Sequence, residues 1–333
     1  MTLSVMITTY NLEKYVEQTI NSVLMQELSY DYEILIGDDG SMDSTISIIR
    51  QWERKYPERI HVFVMDRDPD KKYNAIERAS KNRINLVKHA RGKYLIFLDG
   101  DDFYTDSKKL QKQIDLLEKK ENQDCIACAH QANLYWENGI TKPVSKYNHS
   151  FKVTGKEYWR YGIYFLSESF MFRNVFHQNF PDVINPRYYD DNIIIFYLLS
   201  FGNIIYIPDN MVNYRQTEHS SWNSIDEMER NIINCFDFDI ERQINKNFER
   251  ESRMRHMYNL YFLWRNCKKI PKSLRDKYES QIQKDSLVET DSFFTYSRKS
   301  FFEKRYIDCK IAVNLFRFLF VKIIKKIRLR KYI

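Results

Sequence analysis

Tyr94-Leu95-Ile96-Phe97-Leu98-Asp99-Gly100-Asp101-Asp102 is the stretch on which the fold turns, five uninterrupted apolar residues between Gly92 and Gly100 that end in three carboxylates. An unbroken apolar run of this length reads as a strand buried on both faces, the kind found in parallel sheets. Its acids then stand at the C-terminal end of the strand, the edge where open α/β sheets bind ligands. Asp99, Asp101 and Asp102 would repel one another there unless a positive group sat among them. Clustered carboxylates suit a hard divalent cation, Mg²⁺ or Mn²⁺, which is commonly shared with the phosphates of a substrate. Taken alone, the stretch reads equally well as a solvated acidic turn before a helix starting near Ser107.

The pattern repeats outward from it. Leu3 to Thr8 is an apolar strand, and Asn11 is placed to cap the amphipathic helix that carries Tyr15, Thr19, Ile20, Val23 and Leu24. Glu33 to Gly37 is a second buried strand, ending in Asp38-Asp39-Gly40-Ser41; a helix from about 44 to 56 and a strand at 61 to 65 follow. A polar, basic stretch, 66 to 81, leads to a helix ending near Ala90. Strands alternating with helices predict an α/β chain with a mostly parallel sheet flanked by helices. Beyond it come a helix at 108–120, a strand-like run from Cys125 to Tyr135, and a helix over Ile193 to Leu199 after Asp190 and Asp191. Ile204–Ile207 and Met211–Tyr214 read as two short strands around a Pro208-Asp209-Asn210 turn. From Asp226 the pattern is helical and heavily charged.

A chain of 333 residues, 43% hydrophobic and 15% aromatic, with only eight glycines and seven prolines, has the material for a well-filled core and little for flexible linkers. No apolar N-terminal segment of signal type precedes the first strand, so a cytoplasmic protein is expected. Five cysteines give no disulfide framework. Cys125-x-x-Cys128 lacks the second ligand pair of a zinc site and reads as buried strand thiols.

Four pieces in order resemble the glycosyltransferases of family 2, which share the Rossmann-like GT-A fold. They are Ser4-Val5-Met6-Ile7-Thr8-Thr9-Tyr10-Asn11; Glu33 to Ser41; Ala90-Arg91-Gly92-Lys93-Tyr94 leading to Asp99-Gly100-Asp101-Asp102; and Phe172-Arg173-Asn174, Asp191, Tyr214-Arg215 and Trp222. The resemblance spans about residues 3 to 224 and is closest to the bacterial surface-polysaccharide type. It implies that Thr8 and Tyr10 hold the nucleotide base, that Asp39 accepts a hydrogen bond from uracil, and that Asp99 and Asp101 form an Asp-x-Asp. In that motif the second acid binds metal and the first lies near the ribose or the metal. Lys81 or Arg83 would contact the donor pyrophosphate, in a degraded Arg-Asn-x-Gly pattern, with a solvated helix face the equal alternative. Asp191 would be the catalytic base, Asp190 being the neighbouring alternative and a helix cap the bland one. Where the subgroup has His after Tyr-Arg-x, this chain has Thr217, with His219 two places on. Trp222 reads as a sugar platform or as core.

The net charge of +7 belongs to the tail: residues 304–333 hold ten Lys or Arg against one Asp, leaving about −2 for the rest. Apolar residues at 311, 315, 319, 323 and 327 recur at helical spacing. The run from Ile311 to Val321 is about half the length that a bilayer span needs. The tail is expected to lie on an anionic membrane surface, with packing on the body or on a second copy as the alternative; nucleic acid is not expected.

The expected organisation is a glycosyltransferase domain over 1–225, its nucleotide-binding half about 1–105 and its acceptor half about 106–225, then a helical C-terminal region over 226–333. The expected activity is inverting, metal-dependent transfer of a sugar from a nucleotide sugar, UDP-linked by preference, to a hydroxyl of a glycan or lipid-linked oligosaccharide in capsule or other surface-polysaccharide synthesis. The site would lie on the inner face of the cell membrane, and the C-terminal helices could pair two copies. Two other classes compete. A phosphoryl-transfer enzyme would place its Asp-x-Asp near the first strand, followed by Thr or Val, where this chain has Asp102-Phe103. A membrane-bound scaffold with a degenerate site would not need Asp101 and Asp191.

Overall fold

The computed structural model describes residues 1–68, 70–71, 73–161, 163–176, 191–217, 225–244, 248, 266, 269–274 and 276–277. These fall into two compact units, the first within 1–155 and 164–218, the second within 156–163 and from 219 onward.

The first unit is built on one ten-stranded sheet. Its strands are β1 (Leu3–Thr9), β2 (Tyr32–Asp38), β3 (Ile60–Val64), β4 (Tyr94–Asp99), β5 (Phe103–Tyr104), β6 (Cys125–Tyr135), β7 (Thr141–Pro143), β8 (Phe151–Val153), β9 (Met171–Arg173) and β10 (Asn203–Arg215). The order is β3-β2-β1-β4-β9-β6-β10-β5, with β7 on β6 and β8 on β10. The first four strands pair in parallel. Short β9 is antiparallel to both β4 and β6, and β10 is parallel to β6. Two reversals restore the direction, so β6 and β10 end at the same edge as β1, β2 and β4. The expected α/β class and flanking helices are found, in a sheet that is mixed rather than purely parallel beyond β4.

Burial explains the strand sequences. Val5, Ile7, Ile34, Ile36, Ile96 and Leu98 are all at 0% exposure, and Val16, Ile20 and Val23 of α1 (Val16–Leu24) pack into the same core. Each such side chain contributes roughly 1.5–3 kcal/mol of burial free energy. α2 (Thr45–Lys55) and α3 (Ala75–His89) complete the crossovers. α3 is capped by Asn74, whose Oδ1 accepts from the backbone of Ile76 and Glu77. It therefore begins within the polar, basic stretch 66–81 and ends beside Ala90. α4 (Lys109–Glu118), α5 (Gly155–Tyr161) and α6 (Asp191–Leu198) follow in order. In the second unit α7 (Glu227–Ile244) is capped by Asp226, whose Oδ1 accepts from Met228 N.

Two local readings are corrected. Asn11 does not cap α1, which starts at Val16 without a side-chain cap. Asn11 adopts a positive φ of 53°, and its Oδ1 accepts from Met42 N at 2.9 Å, tying the end of β1 to the loop after β2. Nor does Pro208-Asp209-Asn210 reverse the chain: β10 runs straight through it, with shifts of register against β6 between Ile207 and Asn210 and between Asn210 and Asn213. Proline has no N–H for the ladder, so the segment bulges rather than turns. Cys125 and Cys128 are buried free thiols on β6, as expected. The tail 304–333, Asp190, His219 and Trp222 lie outside the described residues. No helix among the described residues is long and apolar enough to cross a membrane.

Candidate functional site

Because β1, β2 and β4 are parallel neighbours, their C-terminal residues meet. Thr8 stands beside Asp99 in the ladder and Thr9 beside Asp38. Thr8 Oγ1 donates to Asp99 Oδ1 at 2.7 Å, and Arg83 Nη2, from α3, lies 3.0 and 3.3 Å from the two oxygens of the same carboxylate. Arg83 therefore reaches the sheet edge. Lys81 does not; it pairs with Glu77 one turn earlier on the exposed face of the helix, at 2.6 Å. Between them Asn82 is buried and donates to Gly37 O at 2.8 Å, holding α3 close against β2.

At the end of β2, buried Asp38 accepts from Thr9 and from both the backbone and hydroxyl of Ser41, which folds the turn. Gly40 carries a φ of +75° there, a conformation suited to glycine. Asp39 projects beyond the turn and is gripped by two arginines: Arg67 Nη2 on Oδ2 at 2.7 Å, and Arg78 Nε on Oδ1 at 2.5 Å. Arg67 also lies over the Tyr10 ring, 4.0 Å from its centroid, and donates to its hydroxyl at 2.6 Å. Tyr73 stands within cation–π distance of both guanidinium groups. Tyr10, Asp39, Arg67, Arg78 and Tyr73 thus form one charged aromatic pocket wall. Tyr10 and Asp39 were read from the sequence; Tyr73 and the two arginines were not.

The turn after β4 holds the other acids. Gly100 is a site of close approach: a Cβ there would lie 2.7 Å from Thr9 Cγ2 and 2.8 Å from Thr8 O. Asp102 is completely buried. Its Oδ1 accepts from Arg215 N at 2.7 Å, whereas Oδ2 has no hydrogen-bond partner among the described residues. Burial, then Glu168, Asp101 and Asp99, push the Asp102 carboxyl well above the usual range. Asp101 is raised to about 6, by burial and then by the charge of Asp99, against a lowering pull from Arg215. No hydrogen bond from another described residue reaches the Asp101 carboxylate.

Glu168, from the 3₁₀ turn Ser167–Ser169, adds a further acid that no sequence pattern marked. One carboxylate oxygen each from Asp99, Asp102 and Glu168 lies within 4.8 Å of the others. A crowd of oxygen donors, with one wholly buried oxygen left unpartnered, is the donor chemistry that Mg²⁺ and Mn²⁺ take. The residues present therefore fit a divalent cation. Asp191 is the first residue of α6, at the helix end where an anion is favoured.

Comparison with known proteins bears on the family and the fold. Residues 4–180 match the family model described as glycosyl transferase family 2. A candidate teichuronic acid biosynthesis glycosyltransferase of Bacillus subtilis, TuaG, is 32% identical over 148 residues, 44% of this chain and 52% of that protein. Among solved structures, S. aureus TarS 1-349 in complex with UDP-GlcNAc superposes with a TM-score of 0.51 at 17% identity, over 90% of this chain and 92% of that one. The mannosyltransferase PcManGT from Pyrobaculum calidifontis, in complex with GDP-Man and Mn²⁺, gives 0.51 at 13% identity, over 95% and 86%. At such identities the two structures speak for the fold. The chain spans 61% of the length of the mycobacterial relatives that head the curated matches.

Proposed function

The chain belongs to glycosyl transferase family 2, and from that premise we propose that it moves a sugar from a nucleotide-sugar donor to a hydroxyl of a glycan or lipid-linked acceptor, with inversion, in the assembly of a surface polysaccharide. The observation that supports the reading is the meeting of acids from the ends of β2 and β4 at one sheet edge, with Thr8 bonded to Asp99, and with Tyr10 and Asp39 both bonded to Arg67. The same edge receives the ends of six strands that run in one direction, β1 to β4, β6 and β10.

The roles follow from the chemistry of the groups. Asp39, an acceptor when ionised, takes an N–H of the base, and a uridine donor is preferred because its ring carries one N–H between two carbonyls. Tyr10 offers a stacking surface and Thr8 holds Asp99 in place. Arg83, already on Asp99, is the stronger candidate to contact the donor's pyrophosphate; Lys81, paired with Glu77, is the weaker one. A divalent cation, Mg²⁺ or Mn²⁺, held by Asp99 and Asp101, would neutralise charge on the departing nucleoside diphosphate. Asp191, at the start of α6, takes the proton of the acceptor hydroxyl as its oxygen attacks the anomeric carbon and the bond to the diphosphate breaks. The domain limits proposed are 1–225 for this unit and 226–333 for the helical region. The basic tail 304–333 would bring the site to an anionic membrane surface, where a lipid-linked acceptor resides.

The test is nucleoside diphosphate release from a panel of UDP-, GDP- and dTDP-sugars with Mn²⁺, in the wild type, Asp101→Ala and Asp191→Asn. Turnover with one donor, lost in both variants and on metal removal, is the expected result. Release that survives Asp191→Asn moves the base elsewhere, with Asp190 next in line. Absence of any nucleotide binding by calorimetry would overturn the transferase reading.

A further inference from the structure

We propose that Arg215 is a positioning residue that fixes the backbone at Asp101 and so aims the Asp101 carboxylate at the cation. The proposal rests on the assignment of Asp101 as a cation-holding acid, made above. Tyr214-Arg215 is part of the sequence resemblance, yet nothing in the proposed reaction uses its guanidinium.

The topology brings the residue there. β10 ends at the same sheet edge as β4 because the two reversals through β9 restore strand direction. Arg215, the last residue of β10, meets the turn after β4 across 114 residues of sequence. Its backbone N–H donates to Asp102 Oδ1 at 2.7 Å, and its Nε donates to Asp101 O at 2.8 Å. Nη2 donates to Gln18 Oε1 on α1 at 2.6 Å. Three rings enclose the guanidinium, with centroids 4.7 Å away for Tyr15 and 5.2 Å for both Phe103 and Tyr135. The residue is only 6% exposed.

The other carbonyls of the turn are held from α1. Thr19 Oγ1 lies 2.8 Å from Gly100 O and 2.7 Å from Asp102 O. Every carbonyl from Gly100 to Asp102 is thus anchored, and the middle one is anchored by Arg215. Two of the turn's carboxylates are fixed through their own oxygens, Asp99 by Thr8 and Arg83, and Asp102 by Arg215 N. The Asp101 carboxylate accepts nothing from other described residues, so its direction is set by its backbone. That backbone is held on one side by a planar fork whose Nε and Nη2 serve two partners at once. A lysine ammonium in the same cage would keep the charge without the fork's fixed geometry.

Mn²⁺ alone is titrated into the full chain, with free Mn²⁺ followed by electron paramagnetic resonance, and melting is recorded without metal. For Arg215→Lys we expect Mn²⁺ to bind about tenfold more weakly, while turnover at saturating Mn²⁺ falls much less than turnover at limiting Mn²⁺. In Arg215→Ala added guanidinium should restore Mn²⁺ affinity, since the three rings that receive it remain. Gln18→Leu removes only the Nη2 support and should weaken Mn²⁺ binding a few-fold, which keeps the idea testable if Arg215→Ala does not fold. Wild-type Mn²⁺ affinity in Arg215→Lys would overturn the proposal, as would weakened affinity in Arg215→Ala that guanidinium leaves unchanged. Wild-type affinity in Asp101→Ala would instead remove the assignment of Asp101 on which it rests.

Discussion

Arg67 lies over the ring of Tyr10 at 4.0 Å and hydrogen-bonds its hydroxyl, so one face of the ring proposed to stack on a nucleobase is covered by a guanidinium of the same chain. Arg67 also donates to Asp39 at 2.7 Å, as a base N–H would. A planar, N–H-bearing cation therefore makes both of the interactions proposed for the base.

The first prediction concerns that overlap. In Arg67→Ala the ring and one oxygen of Asp39 are released while Arg78 keeps the other, and calorimetry should find UDP bound about three- to tenfold more tightly, the scale of one cation–π contact. Equal or weaker binding would assign Arg67 to the bound nucleotide instead of to the empty pocket.

Asp39→Asn replaces an acceptor with an amide and leaves Arg67 and Arg78 without the charge that both now grip. UDP affinity should fall about ten- to a hundredfold, corresponding to roughly 1.5–3 kcal/mol for a charged hydrogen bond. A uridine nucleotide bound by Asp39→Asn as by the wild type would show that the base sits elsewhere.

A stability–pH experiment without metal addresses Asp101. Its carboxyl is raised to about 6, mainly by burial. A raised carboxyl is ionised more readily in the unfolded chain, so folding loses stability as pH climbs from about 4 to about 6. Asp101→Asn should then melt higher than the wild type at pH 7.5 in EDTA, and the two should converge near pH 4. A constant difference across that range would mean that the substitution acts through packing.

Glu33, at the opposite end of β2, has the reverse sign. Burial pushes its carboxyl up, but the backbone and side chain of Arg91 and the Ser4 hydroxyl outweigh burial and hold it below the usual range. Its stabilisation is present above about pH 4.3 and is lost as acid protonates the folded protein. Glu33→Gln should therefore be less stable than the wild type at pH 7, with the gap closing in acid; denaturant melts at pH 7 and pH 3 measure it.

Gly100→Ala should destabilise by about 1–3 kcal/mol, the scale of an overpacked site, because the new methyl meets Thr9 and the Thr8 carbonyl inside van der Waals contact. Moving the turn also moves Asp101, so Mn²⁺ binding should weaken more than the melting temperature alone would suggest. Unchanged Mn²⁺ affinity would show that the turn tolerates the shift.

Much of the fold and several of these acids were legible in the chain. Apolar runs ending in Asp38-Asp39 and in Asp99-Gly100-Asp101-Asp102 mark strands whose ends must share an edge if the strands are parallel, and they do. Local signals misled where the backbone had two uses for the same residue. Asn11 has the side chain of a helix cap but ties two loops together, and Pro208 has the look of a turn but sits in a bulge within one strand.

The sequence by itself determined the apolar cores of β1 to β4 and the acids that stand at the ends of β2 and β4, because burial on both faces of a sheet demands apolar runs; short β5, β7, β8 and β9 carry no such run. Only the tertiary structure decided which cations meet those acids. Arg67, Arg78, Arg83 and Arg215 lie 28, 39, 16 and 114 residues from the partners they hold, and no periodicity connects them. Strand order and the two reversals at β9 bring them to one edge, a choice fixed by packing and hydrogen bonding across the whole sheet.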